Sequence, residues 1–156
     1  MRQKQYYRPD LCLHRWTTAD CLFSQNVFGR WESFQGKGFV WDDDDLLIRY
    51  ILGEYPRIGK SWMEVERIYI PINVFENHWI LGEVDLPSWS IFIYDSMCGS
   101  GAREKEILNL ILPFARIIAD LLTKFNYLDI HPEIKWLECT ELLITQADDV
   151  PQQDNM

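Results

Sequence analysis

The chain has 156 residues, the length of one ordinary domain. Its 47% hydrophobic and 14% aromatic content belongs to a folded chain with a real core, and excludes a disordered one. With 15 Lys and Arg against 24 Asp and Glu, the formal net charge is −9, which argues against nucleic acid or an anionic membrane as partner.

Apolar runs such as 107–112 fall short of the roughly 18 residues a membrane span needs. The first residues, Met-Arg-Gln-Lys-Gln-Tyr, lack the apolar block of a signal peptide, so a nuclear or cytoplasmic location is expected. Cys12, Cys21, Cys98 and Cys139 then read as free thiols. Cys12, His14 and Cys21 fit no common zinc spacing, and neither a metal nor a cofactor is expected.

Residues 1–40 carry Arg2, Lys4, Arg8 and Arg15, then aromatics without a clear period, and read as a lead-in of unknown role. The main unit is placed at 41–156. A helix is predicted over 42–52, with four acids at the positive end of its dipole and Gly53 and Pro56 closing it. Residues 67–74, 78–86 and 89–96 are β-branched and aromatic runs separated by turn residues, and read as three strands. From 103 to 125 the period becomes helical, with Ile107, Leu110, Ile111, Phe114, Ile118, Leu121 and Phe125 on one face and a kink expected at Pro113. Residues 134–139 read as a further strand, and 148–156 as a polar tail.

The second and third strands allow a register to be proposed. A turn centred between Leu86 and Pro87 opposes residues whose numbers sum to 173. Val84 then faces Trp89, Gly82 faces Ile91, Ile80 faces Ile93, and His78 faces Asp95. On the other face Leu81 meets Phe92 and Trp79 meets Tyr94, so both faces are expected to be covered. A carboxylate beside a histidine fixes its tautomer and stabilises the imidazolium, which lets the ring draw a proton from a Ser or Cys nucleophile. The same two residues also make an ordinary ion pair at a strand end, so the pair needs a third member before it means catalysis.

Four segments supply that context. Tyr69-Ile70-Pro71-Ile72-Asn73, His78-Trp79-Ile80-Leu81, Ile93-Tyr94-Asp95-Ser96-Met97 and Val150-Pro151-Gln152-Gln153 resemble, in order, the signature segments of the ubiquitin-like-protein-specific cysteine proteases, the SUMO-processing enzymes. The wording is similar to plant versions, many of them carried by transposable elements. The resemblance covers about residues 41–156. It implies an α+β fold of papain-like cysteine protease architecture, a mixed sheet packed with helices, acting on SUMO or another ubiquitin-like protein. His78 resembles the general base, Asp95 the residue that orients it, and Gln153 the side-chain donor of the oxyanion hole. Trp79 resembles the aromatic that encloses the channel for a Gly-Gly tail; as a plain core residue it would stack on Tyr94. Trp41 with Asp44 resembles the family's early Trp-x-x-Asp motif, which contacts the modifier.

In the family the nucleophile follows the Gln segment as Gln-x-x-x-x-Asp-Cys-Gly, which counted from Gln153 places it at position 159, past Met156. The expectation is a partial catalytic domain without the nucleophile or its helix, inactive as a peptidase. None of Cys12, Cys21, Cys98 and Cys139 stands in a cationic or helix-N-terminal setting that would make it a substitute. The alternative function is a catalytically dead module that binds a ubiquitin-like protein. A nucleotide site at 53–61 is rejected, because five residues separate its glycines where a P-loop has four.

Overall fold

The computed structural model describes residues 15–57, 59–97, 101–134, 140–148 and 150–151. Its elements in chain order are strand β1 (Trp16–Thr18), helix α1 (Cys21–Phe34), helix α2 (Leu46–Ile51), a 3-10 turn (Trp62–Glu64), strands β2 (Arg67–Val74), β3 (His78–Asp85) and β4 (Ser90–Tyr94), helices α3 (Gly101–Lys124) and α4 (Tyr127–Ile130), and strand β5 (Leu143–Gln146). The five strands form one mixed sheet in the order β1-β2-β3-β4-β5. The β1–β2 and β4–β5 pairs are parallel, and the two central pairs are antiparallel. The architecture is α+β, as the sequence implies.

Burial alternates strictly along β3. Ile80, Gly82 and Val84 are buried, while Leu81, Glu83 and Asp85 are only partly so. The even-numbered face therefore looks into the core, with Ile70, Ile72, Ile91 and Ile93. A side chain at Gly82 would crowd Ile72 Cδ1 at 3.2 Å and Ile91 Cδ1 at 3.5 Å; the glycine lets these neighbours meet over the strand. The expected cover on the odd face is not found among the described residues, where Tyr69, Phe92 and Tyr94 stay half-exposed.

The β3–β4 register differs from the expected one by two residues: Gly82 opposes Ile93 and Val84 opposes Ile91. Proline is the reason. A two-residue turn at Leu86-Pro87 would need one of the primed types, with positive φ at Leu86 and, in one type, also at Pro87, whose ring forbids it. The chain instead uses a four-residue loop with Pro87 at the second position, where its φ is already right. Trp89 N–H donates to Leu86 O at 3.0 Å, and Trp89 takes φ 50°. Its indole is thereby drawn into the core, stacked 6.2 Å from the Tyr127 ring. A slip of two keeps every side chain on its face, so the ladder stays apolar.

Helix α2 begins later than expected. Asp45 is its N-cap, accepting from Leu47 N–H at 3.0 Å, and its other oxygen accepts from Arg30 Nε at 2.7 Å. The three acids before it form a turn, because short carboxylates bond their own backbone more readily than they extend a helix. Helix α3 runs unbroken through the buried Pro113, with Ile107, Ile111, Phe114, Ile118 and Leu121 buried along the expected face.

The first 40 residues, read as a lead-in, supply β1 and α1 from residue 16 onward. Phe23 and Val27 are in the core, with Trp31 and Phe34 packed against it. Ser24 Oγ donates to Pro71 O at 2.7 Å, tying α1 to β2. Strand β5 was not expected. Of the strand expected at 134–139, Ile134 lies outside any element and the remainder lies outside the described residues. No helix among the described residues is long and apolar enough to cross a membrane.

Gly53 closes α2. Its N–H donates to Tyr50 O at 3.1 Å, and Glu54 N–H donates to Arg49 O at 2.9 Å, the paired bonds of a Schellman motif. Gly53 has φ 76°, and a Cβ there would stand 2.4 Å from Ser61 N. Gly53→Ala is expected to cost about 3 kcal/mol or more in urea unfolding, from positive φ and a backbone clash together. A loss below about 1 kcal/mol would show that the 60–61 segment yields.

Candidate active site

Histidine 78 opens β3, opposite Val74. Asp95 follows the last residue of β4, with its side chain 1% exposed. With the observed register the two residues are diagonal neighbours on one face, not directly opposed, a separation long side chains still bridge. His78 Nε2 and Asp95 Oδ1 lie 2.6 Å apart. The same oxygen accepts from Met97 N–H at 2.9 Å, an Asx-turn that holds the carboxylate as the chain leaves the strand. The hydrogen bond expected from the sequence is present, though not by the pairing expected.

The acid lies against Nε2, so Nδ1 is the ring nitrogen turned away from it. Arg103, in the first turn of α3, places Nη2 3.6 Å from Asp95 Oδ2. Its guanidinium also lies over the Phe75 ring, 5.2 Å from the centroid. Phe75 and Glu76, in the loop between β2 and β3, have φ of 53° and 66°. Neither Arg103 nor Phe75 is marked by any motif in the sequence. The one signal is a basic residue at a helix start, where the dipole disfavours it.

Trp79, on the opposite face of β3, is 53% exposed. It opposes Asn73, and Tyr94 opposes Leu81, so the cross-strand stack on Tyr94 does not form. Tyr94 Oη donates to Glu83 Oε2 at 3.2 Å. Burial first, and then the Glu83 carboxylate, hold the Tyr94 phenol above its ordinary value. The same two causes raise Tyr69, with Arg67 opposing them.

Trp41 and Asp44 are not brought to this site. Trp41 is 8% exposed and packs with Phe34 and Phe39. Its Nε1–H donates to Asp120 Oδ2 at 2.7 Å. Asp120 is 17 residues beyond Arg103 on one continuous helix, about 25 Å along its axis at 1.5 Å per residue. Asp44 is exposed beside the same far end, where Asp43 pairs with Lys124 at 3.8 Å. The indole edge that would meet a partner is already used inside the fold.

Gln153 lies outside the described residues, as do Cys12, His14, Cys98 and Cys139. Cys21 is an exposed free thiol and the first residue of α1. Against expectation, one of the four cysteines therefore does stand at a helix N-terminus, after the N-cap Asp20, whose local acceptor pattern the sequence did not disclose. Among the described residues no group of three or more His, Cys, Asp or Glu side chains is placed to hold a metal ion.

Among solved structures, the chain is similar to a SUMO protease Ulp1 with the catalytic cysteine oxidized to a sulfinic acid, at 19% identity over 88% of this chain and 50% of that one, with a TM-score of 0.49. It is also similar to a C-terminal Ulp1 protease domain in complex with Smt3, the yeast ortholog of SUMO, at 20% identity over 72% of this chain and 44% of that one, with a TM-score of 0.40. The chain thus spans half or less of the length of these structures. No curated protein matches it in sequence. Residues 34–156 match the Ulp1 protease family, C-terminal catalytic domain. That match takes in the strands of the central hairpins, α3 and both members of the His78–Asp95 pair, and the chain belongs to the Ulp1 protease family.

Proposed function

We propose that this chain carries the general base and the orienting acid of a cysteine peptidase that releases SUMO or another ubiquitin-like protein at a C-terminal Gly-Gly. The observation that carries the reading is the 2.6 Å contact between His78 Nε2 and a buried Asp95 in a chain of this family. It leaves Nδ1 to face a thiol. The step is acyl transfer. A cysteine gives its proton to His78 and attacks the terminal glycine carbonyl as the thiolate. The imidazolium then protonates the leaving amine, and water hydrolyses the thioester with the ring again as base. Gln153 would donate its amide to the oxyanion, and Trp79 would cover the Gly-Gly tail. Trp41 and Asp44 have no part in this reading.

The nucleophile is assigned to a cysteine at position 159 of a longer reading frame, preceded by an aspartate at 158. A polypeptide of residues 1–156 alone is then expected to bind a SUMO-tailed fusion without cleaving it. A Gly-Gly-directed thiol trap should label none of its four cysteines. Specific labelling of Cys98 or Cys139 would overturn that assignment.

A reading frame continued through that cysteine should cleave after Gly-Gly. His78→Ala should abolish cleavage. Asp95→Asn should slow it severely, by about 10⁴-fold if it follows the comparable change in a serine protease triad. An active continued enzyme indifferent to His78→Ala would sink the peptidase reading and leave the dead binding module. Both readings use the exposed Trp79, whose loss in Trp79→Ala should weaken SUMO binding roughly tenfold or more, measured by calorimetry, as expected of an aromatic anchor. Unchanged affinity would remove Trp79 from the contact surface.

A further inference from the structure

We propose that Arg103 is a positioning residue for the His78–Asp95 pair, holding Asp95 Oδ2 by charge so that Oδ1 stays on His78 Nε2. The proposal rests on the peptidase reading above and extends it to a residue that no family motif marks.

Four observations converge on it. First, Arg103 occupies the first turn of α3, the end of a helix dipole where a cation is disfavoured. A residue that breaks a local preference at a site needs a local reason. Second, its Nη2 stands 3.6 Å from Asp95 Oδ2, within ion-pair range but too long for a hydrogen bond. An arginine placed for stability alone would make the bidentate fork its geometry favours. Third, Nε and Nη2 are buried with no hydrogen-bond partner among the described residues, a cost to the fold. Fourth, the guanidinium lies on Phe75, a bulky residue at positive φ in the loop that leads into His78. The side chain is only 23% exposed. The plane of Phe75 therefore fixes where the charge sits, and the charge fixes the carboxylate.

This arrangement divides the labour of Asp95. Oδ1 takes both directional bonds, from His78 and from Met97 N–H. Oδ2 takes an undirected attraction that resists rotation about the Cβ–Cγ bond. Were Arg103 to form a close fork, it would compete with the imidazole for the same carboxylate. Without it, Oδ2 would be a buried charge with no cation facing it, and the group would turn to find water.

The test reads the hydrogen bond itself and needs no turnover. In the histidine-labelled 156-residue chain, the Nε2–H resonance of His78, assigned by its loss in His78→Gln, is followed for exchange with water. It should be protected in the wild type. Arg103→Met should speed its exchange roughly tenfold or more, as expected from loosening a charge-assisted hydrogen bond. Arg103→Lys keeps the charge and should stay within about threefold. Arg116→Met removes a cation further along the same helix and should change nothing. Undisturbed protection in a folded Arg103→Met overturns the proposal, as does a wild-type chain with no protected Nε2–H. Where Arg103→Met does not fold, Arg103→Gln keeps the stem and a planar amide without charge, and undisturbed protection there overturns it equally. Failure of the reading frame continued through position 159 to cleave after Gly-Gly, with intact Arg103-dependent protection, would refute the peptidase reading and leave the positioning role standing.

Discussion

A carboxylate taken out of water costs several kcal/mol unless its charge is met, and Asp95 is buried at the end of β4. Three groups meet that charge, each delivered by a different part of the chain. His78 comes from the start of β3, the Met97 amide from the turn after β4, and Arg103 from the start of α3. No two of them are near in sequence to the same turn. The carboxylate can be buried only if the hairpin register, the exit from β4 and the seat of α3 are right at once. The wider fold supplies those placements. The even-numbered residues of β3 and the odd-numbered Ile91 and Ile93 of β4 share one core with the apolar face of α3, so the strand ends and the helix start are held in a common frame.

How much of this the sequence discloses depends on whether the determinant is local. Strands β2 and β3 are readable because β-branched residues recur at period two, and α3 because Ile107, Ile111, Phe114 and Ile118 recur at helical spacing. The register needed one further fact of local chemistry, that Pro87 belongs at the second position of a type I turn and not in a primed one. The slip it causes is even, which is why the His78–Asp95 contact survives a wrong pairing. In α1, Phe23, Val27, Trp31 and Phe34 do follow helical spacing, but Phe28 and Trp16 blur it. Strand β5 has no alternation to read: Leu143 and Gln146 are exposed and Ile144 and Thr145 half-buried. Trp41 shows what a local motif leaves out. A tryptophan ahead of an acidic run fits a contact motif locally, whereas its partner, Asp120, lies 79 residues away and is fixed by tertiary packing alone.

The residues around the pair depart from local preference more than those elsewhere in the hairpin. Phe75 and Glu76 both hold positive φ, Arg103 is a cation at a helix start, and Asn73 Oδ1 is buried without a partner among the described residues while its Nδ2 donates to Glu76 O at 3.2 Å. Each departure costs stability, and all lie around the loop between β2 and β3 or against it. The remaining ladder of that hairpin, from Arg67–Asp85 to Val74–His78, is regular. Two successive residues at positive φ beside a titratable pair are the pattern of a site whose geometry is imposed by the fold, not chosen by the local chain.

The identity of the engaged nitrogen constrains how a substrate arrives. With Nε2 against Asp95, the ring nitrogen turned to any further partner is Nδ1, the one nearer the main chain. His78 and Trp79 are consecutive on β3 and point to opposite faces. The indole of Trp79 and the imidazole of His78 therefore come together only around the N-terminal end of β3, where the loop from Phe75 to Asn77 enters the strand. Approach across the middle of the strand is closed, because Ile80 and Gly82 are buried on the face that His78 shares. The Arg103 guanidinium lies over Phe75 of that loop and 3.6 Å from Asp95 Oδ2, so one cation touches both the acid and the segment that leads into His78.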